Sequence, residues 1–462
     1  MTNDLNTNRD QERNRDQETN HNQESRQNIP SSTSQFVNIP KPTDGKFEES
    51  IPSDYPELSE REAIDLLKNG QVIEKCFIRH LSLSGEFPKA IQLKQVYIKH
   101  LNISQFTSQL NFNLASCHLR RVIIDEALFK DTLSAKNCHF HFLHLKNSRF
   151  DKNFNAQASK FSSKVVIQNT TFTGKIRFWE AEFKDWFNAI ECQFKGKADF
   201  RSAFFEAGFT VSKSHFHDDF MFRGTHLALK WEGEEARFEK LIDFSKAKLG
   251  DFVYLEDLIQ GEAQQWAFWN TVSERILVRP DQVEGRMKSE EEGEHYKAMR
   301  EYAVLKRSFE YENQYSYDDW AFYRFKVNER KARAETDHSL IRKVMNVADW
   351  LLLDWGCGYG THPIRAIRTA LVMIVLFAVI YVFGFEYLHQ VDNVPFPDLQ
   401  PSALLNQIAV SLFVSLAAFT SGFGDLRDVA IGWMNIPIML EALLGTLMWG
   451  LFIVAFGRKV IR

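Results

Sequence analysis

The chain has 462 residues, with 56 lysine and arginine residues against 60 aspartate and glutamate residues, and a formal net charge of −4. At about 100–200 residues per domain, this length predicts two to four domains. The near-neutral charge argues against a dedicated nucleic-acid-binding protein, because such a protein needs a basic face for phosphates. Phenylalanine is enriched, with 40 residues against 12 tyrosines and 10 tryptophans. This enrichment indicates a repeat in which phenylalanine holds one structural position.

The N-terminal segment is polar and repetitive. From Asn8 the sequence reads NRDQER, NRDQET and NHNQES at a period of six. Such a composition cannot bury an apolar core, so residues 1–55 are predicted to form a disordered polar tail, either simply solvated or acting as a tether. No apolar stretch follows the first residues, so no signal peptide is expected. The five cysteines have scattered spacings that predict neither a disulfide framework nor a metal site.

A large residue recurs through the middle of the chain at intervals of eleven, with a single step of ten. A small residue stands two positions before each of them. Keeping both in phase over about 120 residues predicts a solenoid, in which phenylalanines of successive coils stack and the small residue leaves room for a turn. The large series is Phe129, Phe140, Phe150, Phe161, Phe172, Phe183, Phe194, Phe205, Phe216, Leu227, Phe238 and Leu249.

The small-x-Phe spacing resembles the pentapeptide-repeat family in a looser 6+5 form. The resemblance implies a right-handed β-helix of square cross-section. With fainter repeats toward the N-terminus, we assign residues 56–255 to this domain, about eight coils and a rod on the order of 40 Å long. Cys117, Cys138 and Cys192 hold small positions and are therefore predicted to be packing residues.

A helical connector is predicted over residues 256–362. Between Tyr296 and Phe309, apolar residues recur at i, i+3 and i+4 spacing, and a second helical run extends from Asp318 to about Ala334. An antiparallel helix pair is the natural interpretation of these two runs.

Two uncharged apolar runs in the last hundred residues approach the length needed to cross a bilayer, about 20 residues. They predict an outer helix over 364–388 and an inner helix over 432–458. Arg365 and Arg368 precede the first run, whereas Arg458, Lys459 and Arg462 follow the second. The positive-inside rule then predicts an integral protein of the bacterial inner (plasma) membrane with both termini in the cytoplasm.

The connection between these runs predicts a shorter helix over 403–419, followed by Thr-Ser-Gly-Phe-Gly-Asp at 420–425. This motif resembles the potassium-channel signature Thr-Val-Gly-Tyr-Gly-Asp, and the resemblance covers about 364–458. It implies a pore domain over 363–462, in which 403–419 is a re-entrant pore helix and 420–425 the selectivity filter. The predicted fold class is therefore multi-domain: a cytoplasmic right-handed β-helix, an α-helical connector and a two-span α-helical membrane pore domain.

The resemblance assigns roles to single residues. It implies that the backbone carbonyls of Thr420, Ser421, Gly422 and Phe423, with the Thr420 hydroxyl, bind K⁺, and that Gly424 and Asp425 support the filter. Glycine suits this backbone because it tolerates both signs of φ. Four chains would be needed to close the ring. Two departures from the signature are Ser421 in place of valine or isoleucine, and Phe423 in place of tyrosine.

Two inner-helix residues leave alternatives open. Gly445 lies near the position of a gating hinge in channels, but a small residue for close helix packing is an equal alternative. Glu441 is costly in lipid, so it is expected to face protein or water, either in a structural hydrogen bond behind the filter or in gating. Leu416 stands where some potassium channels have a glutamate.

Two further motifs are weaker. The sequence from Leu353 to Gly360 mimics the glycine-rich motif of S-adenosylmethionine-dependent methyltransferases, but a membrane span follows at once, so a membrane-surface turn is preferred. His139, His141 and His144 have a spacing that suits zinc, although the first two flank the inward Phe140 and are expected to be solvated. We find no pattern typical of an enzyme.

The sequence thus predicts a homotetrameric potassium channel whose solenoid is a cytoplasmic regulator or scaffold. Its partners would be monovalent cations, the lipid bilayer and an unknown ligand or protein on the solenoid, with no nucleic acid and no cofactor apart from permeant K⁺. The alternatives are a weakly selective K⁺/Na⁺ channel and a membrane-anchored interaction protein with a non-conducting pore. No segment resembles a voltage sensor, and five residues follow Gly457. We therefore expect gating signals to enter through the connector and the Arg365/Arg368 end of the outer helix.

Overall fold

The computed structural model describes residue 47 and residues 50–250, 252–336, 338–388, 403–421 and 430–460. The described residues from Ser53 onward belong to one compact unit. Most of the predicted polar tail, and the predicted filter residues Gly422, Phe423, Gly424 and Asp425, lie outside the described residues.

Residues 72–277 form a β-solenoid of about nine turns in which all paired strands run parallel. Strand pairing matches Val72 with Gln92 near the start of the solenoid and Leu241 with Gln265 near its end. A coil therefore takes roughly 20 to 24 residues, which is two of the eleven-residue repeats. The strands are β1 Val72–Glu74, β2 Phe77–Phe87, β3 Ile91–Lys94, β4 Tyr97–Ser108, β5 Phe112–Ala115, β6 His118–Phe129, β7 Leu133–Lys136, β8 His139–Lys146, β9 Arg149–Phe150, β10 Phe154–Asn155, β11 Lys160–Phe161, β12 Val165–Gln168, β13 Thr171–Phe172, β14 Ile176–Arg177, β15 Glu182–Phe183, β16 Phe187–Ile190, β17 Gln193–Phe194, β18 Ala198–Asp199, β19 Phe204–Phe205, β20 Phe209–Ser212, β21 His215–Phe216, β22 Phe220–Met221, β23 His226–Leu227, β24 Lys230–Glu232, β25 Arg237–Phe238, β26 Leu241–Asp243, β27 Lys248–Leu249, β28 Phe252–Tyr254, β29 Ile259–Gln260, β30 Gln265–Ala267 and β31 Ile276–Leu277.

The phenylalanine series divides into two separate columns inside the solenoid. Each ring stacks on the ring one full coil away, as Phe129 does on Phe150 and Phe140 on Phe161. Successive members of the eleven-residue series therefore alternate between the two columns. In the column that contains Phe183, the centroids of Phe161 and Phe205 lie 4.7 Å and 4.5 Å from it, with planes within 5°. Such aromatic contacts contribute about 0.5–1.5 kcal/mol each beyond the burial of apolar area. The predicted stacking between coils is confirmed.

The small residues occupy the corners of the coils. The residue before each of them has a left-handed backbone, with φ between 46° and 60° where it is not glycine. The small side chains also bind the neighbouring coil: Cys138 N donates to Ser159 Oγ at 3.0 Å, and Cys192 N donates to Ser214 Oγ at 3.1 Å. Cys117, Cys138 and Cys192 are buried, which confirms their role in packing. The left-handed residues are Glu126, Asn137, Asn147, Ala158, Asn169, Glu180, Glu191, Ser202, Lys213, Glu235 and Lys246.

The two ends of the solenoid differ from the predicted domain limits. Helix α1, Glu60–Lys68, covers the first coil with Ala63 and Leu67 buried, and lies inside the segment that we predicted as β-helix. Its N-cap Ser59 accepts a hydrogen bond from Glu62 N. At the other end, strands continue to β31 instead of ending at residue 255. The phenylalanine spacing stops there because other large residues, such as Trp266 and Ile276, fill the core.

The connector is helical from residue 280 onward. Two one-turn helices, α2 Pro280–Val283 and α3 Lys288–Glu291, are followed by α4 His295–Tyr311 and α5 Tyr315–Thr336. The predicted pair α4 and α5 is present, and α4 closes the last coil. Ser308 Oγ accepts from Ile276 N at 2.6 Å, and a carboxylate oxygen of Glu301 accepts from Phe268 N at 2.8 Å.

The remaining helices form the C-terminal region. Helix α6, Leu340–Ala348, continues into a π-helix, Asp349–Trp355, and a tight turn, Gly358–Gly360. Helices α7 Pro363–Phe383, α8 Ala403–Ser421 and α9 Asn435–Val460 follow. Single 3₁₀ turns occur at Phe385–Tyr387 and Gly432–Met434.

Candidate functional site

Helices α7 and α9 pack as an antiparallel pair of apolar helices. Both are long and apolar enough to cross a membrane, with 21 residues in α7 and a 29-residue segment, Gly432–Val460, that contains α9. At one end, Leu388 pairs with Ala430, and Ile431 N donates to the Tyr387 carbonyl at 2.8 Å. The observed helix α7 ends five residues before the predicted limit of 388, and α9 ends two residues after the predicted limit of 458.

Helix α8 is wedged between the two long helices. Its buried residues Val414 and Ala418 pack against Phe377 and Tyr381 of α7 and Ile438 of α9. Toward its C-terminal end, Ser415 Oγ donates to the Ile374 carbonyl at 2.8 Å. Ile374 lies in the middle of α7, so the last turns of α8 end beside the centre of the helix pair rather than at its edge.

Gly445 permits a close approach between α8 and α9. It is buried in the middle of α9, and a Cβ atom added there would lie 2.4 Å from the Phe419 carbonyl oxygen. Real side chains do not tolerate that distance. The geometry therefore supports the packing role that we left open for Gly445.

Glu441 joins all three helices. The Tyr381 hydroxyl on α7 donates to Glu441 Oε2 at 2.5 Å, and Ser415 Oγ on α8 donates to Glu441 Oε1 at 2.5 Å. Glu441 has no exposed surface. A buried carboxyl in an apolar helix needs such partners, so the structure supports the hydrogen-bonding role among the two alternatives.

Tyr381 and Ser415 are functional candidates that our sequence analysis missed. We noted Leu416 as the position where some potassium channels have a glutamate, but the polar contact comes from its neighbour Ser415, and Leu416 is exposed. The sequence did contain a signal for both residues, namely a hydroxyl group in an otherwise apolar segment. Such a group predicts a buried hydrogen bond, because buried polar groups in apolar helices find partners.

Helix α8 extends two residues beyond the predicted limit of 419, so Thr420 and Ser421 are in its last turn. Thr420 Oγ1 donates to the Leu416 carbonyl at 2.7 Å, the i−4 bond that threonine makes within helices. The structure therefore differs from the predicted filter start at residue 420, because a helical backbone does not turn successive carbonyls toward one axis.

Helix α5 contacts both long helices at the end opposite to the Leu388 pairing. Arg458 of α9 lies 2.9 Å from Asp319 and 3.7 Å from Asp318, measured between guanidinium nitrogens and carboxylate oxygens. The Arg458 guanidinium also lies 4.2 Å from the centroid of the Phe322 ring. Arg365 of α7 lies over Tyr323, 5.1 Å from its centroid. The start of α7 and the end of α9 therefore meet the same connector helix.

The segment before α7 also binds α5, through Asp354. Asp354 accepts from the Tyr323 hydroxyl at 2.8 Å and pairs with Arg330 at 2.7 Å. Gly358, Tyr359 and Gly360 all have left-handed backbones, with φ of 57°, 53° and 79°. The π-helix rather than a β-strand precedes this turn, so the structural context of a methyltransferase motif is missing here and the interpretation as a turn is confirmed.

The histidine motif does not form a metal site. His139 and His141 are exposed, as predicted, whereas His144 is half-buried. Across the part of the chain that the structure describes, no cluster of three or more histidine, cysteine, aspartate or glutamate side chains could hold a metal ion.

No protein-family model, curated protein or solved structure matches this chain. The resemblances to the pentapeptide-repeat and potassium-channel families therefore rest on the residues quoted above.

Proposed function

We propose that this chain forms a homotetrameric cation channel that conducts potassium through a filter built from residues 420–425, for which Thr420 and Ser421 must unwind from the last turn of α8 so that their carbonyls face the pore axis. The observation that carries the proposal is the position of α8: its C-terminal end lies beside the centres of α7 and α9, and the Thr-Ser-Gly-Phe-Gly-Asp motif begins in its last turn. A helix C-terminus carries partial negative charge, which favours a cation at that depth. Backbone carbonyls beyond it can replace water around a dehydrated ion.

The exposed surfaces of the helices support a membrane assembly. Ile364 and Phe383, at the two ends of α7, are 80% and 87% exposed. Helix α8 also has exposed apolar residues, among them Leu404, Leu412 and Leu416. An apolar surface of this extent is unfavourable in water and needs lipid or further copies of the chain as partners. One chain supplies one filter segment, so four copies around an axis supply the ring.

The contacts of α5 suggest how the soluble part regulates the pore. Our sequence-based hypothesis had the connector act on the outer helix alone. Arg458 adds a direct ion pair between α5 and the end of the inner helix. We infer that a movement of the solenoid or connector reaches both membrane helices through α5. Deletion of residues 1–285 should therefore change the open probability of a channel that remains tetrameric.

The first test is ion flux into liposomes that contain the purified full chain. We expect potassium flux at least about tenfold above sodium flux, equivalent to about 1.4 kcal/mol of discrimination. Gly422→Asp should abolish it, because a side chain and a negative charge would enter the filter, while the assembly mass in detergent stays that of a tetramer.

Two results would contradict the selective channel. Equal flux of both ions would favour a weakly selective pore, and Ser421→Val, which restores the usual residue, should then raise the preference for potassium. No flux from an inserted tetramer, in the presence or absence of residues 1–285, would favour a membrane anchor whose working surface is the solenoid.

A further inference from the structure

Helix α6 has an unusual orientation on the protein. All nine of its residues are described, and each is exposed or half-buried. Its apolar face, defined here as Leu340, Val344 and Val347, is 79%, 63% and 60% exposed. Residues at i, i+4 and i+7 lie on one side of a helix, so these three side chains form a continuous stripe.

The polar side of this segment faces the protein. Arg342 and Asn346, on the opposite side of α6, are half-buried, and Asp349, one turn further, pairs with Arg333 of α5 at 3.1 Å. An amphipathic helix in water normally buries its apolar face and exposes its polar one. Helix α6 does the reverse, which requires an apolar medium on its outer side.

We propose that the α6 apolar face lies in the membrane interface, at the boundary between lipid headgroups and acyl chains. The main argument is continuity: the π-helix and one turn lead directly from α6 to α7, whose first apolar residues, Ile364 and Ile367, are exposed as well. The π-helix carries Trp350 and Trp355, both partly exposed. Tryptophan and tyrosine favour this depth because one end of the ring is apolar and the other polar.

The charges favour lipid over a second copy of the chain as the occupant. Lys343 is exposed beside the apolar face, and Arg365 and Arg368 begin α7. Basic residues around an apolar stripe are typical of helices that lie on membranes, because they attract anionic headgroups. Two copies meeting through this face would bring these like charges together. The inference rests on the membrane insertion of α7 and α9 that the proposed function requires, and not on conduction.

Site-directed spin labelling of the full chain in phosphatidylcholine–phosphatidylglycerol vesicles tests this inference. Labels are placed on Val344→Cys and Val347→Cys, with Lys343→Cys as the matched control on the adjacent polar side. Leu376→Cys, on the exposed surface of α7, reports insertion itself. The native cysteines are buried, so labelling can be directed to the introduced ones. Collision with oxygen and with a water-soluble nickel chelate measures depth.

We expect labels at positions 344 and 347 about 5–10 Å below the headgroups, the label at 343 in water and the label at 376 deeper still. Water exposure at 344 and 347, with 376 in lipid, would overturn the inference and leave the proposed channel intact. Shielding of 344 and 347 from both reagents would show that protein covers the face, which also overturns it. A label at 376 in water would contradict both the inference and the proposed function.

Discussion

The solenoid and the three apolar helices use hydrophobic residues in opposite ways. In the solenoid, the phenylalanine columns are sealed inside the coils, and ion pairs such as Lys160–Glu182 lie outside. In the helical region, many apolar residues are exposed, and the buried centre contains hydrogen-bonded polar groups, Tyr381, Ser415 and Glu441. The contrast agrees with the proposal that one chain folds against two different surroundings, because the hydrophobic effect places apolar surface wherever water is absent.

The junction between the regions belongs to neither pattern. Helix α4 contacts the last coil through buried polar groups, Ser308 and Glu301, and α5 contacts the long helices through Arg458 and Arg365. Polar contacts are directional, so they transmit a defined orientation from the solenoid to the helices better than an apolar contact would. This is the physical basis for the regulatory role that we propose for the connector.

The largest expected effect comes from removing one ring of a phenylalanine column. Phe205→Ala deletes a fully buried side chain that stacks on Phe183, and we expect it to lower the free energy of unfolding by about 3–5 kcal/mol. Phe204→Ala, at the preceding residue of the same strand, is the matched control because Phe204 is 38% exposed. Denaturant unfolding followed by circular dichroism measures both. Equal losses from the two variants would contradict the internal columns.

The second-largest effect is expected from a change of pH at the junction between the solenoid and the connector. Burial raises the pKa of Glu301 from 4.5 to about 7, although the side chain accepts hydrogen bonds from Phe268 N and Ser289 Oγ. Between pH 4.5 and about pH 7, Glu301 keeps its proton in the folded chain but has released it in the unfolded chain. The free energy of unfolding should therefore fall as pH rises from 4.5 to 7, by about 3 kcal/mol at most, and then level off.

Glu301→Gln stays neutral and should remove this contribution to the pH dependence. Unfolding of the two proteins is compared at several pH values between 4.5 and 7. Parallel profiles for the variant and the original chain would show that Glu301 does not hold the proton.

The ion pair between α5 and α9 is expected to have a smaller effect on stability and a visible one on gating. Arg458→Gln removes the charge that faces Asp318 and Asp319, at a cost of about 1–3 kcal/mol for buried groups that lose their ion-pair partner. Lys459→Gln is the control, because Lys459 is exposed and adjacent. We expect only the first variant to change the single-channel open probability. Unchanged gating in both would confine α5 to a scaffold role.

The smallest expected effect tests the packing between α8 and α9. Gly445→Ala places a methyl group against the Phe419 carbonyl, whereas Gly450→Ala, one and a half turns further, meets nothing within 4 Å. We expect the first variant to cost about 1–3 kcal/mol, the range for overpacking a filled interior. Thermal stability of the tetramer in detergent measures the difference. A stabilising effect of Gly445→Ala would contradict the close approach.

The periodic parts of the molecule were the most predictable. Eleven-residue spacing of Phe129 to Leu249 is enough to identify the solenoid, since each coil repeats the same packing problem. The end of the solenoid was predicted 22 residues too early, at 255 instead of Leu277, because Trp266 and Ile276 fill the same interior without the phenylalanine spacing. Helix α1 was missed because a single capping helix has no repeat to reveal it.

The sequence by itself determined which segments are repeats, which helices are apolar enough for a membrane, and which motif follows the helix between them. These are properties of local periodicity and composition. Only the tertiary structure decided that Ser415 and Tyr381 are the partners of Glu441, that Phe419 approaches Gly445, and that Arg458 meets α5. Each of these contacts joins residues at least 26 positions apart along the chain. Their pairing depends on the relative placement of whole helices, which no local pattern specifies.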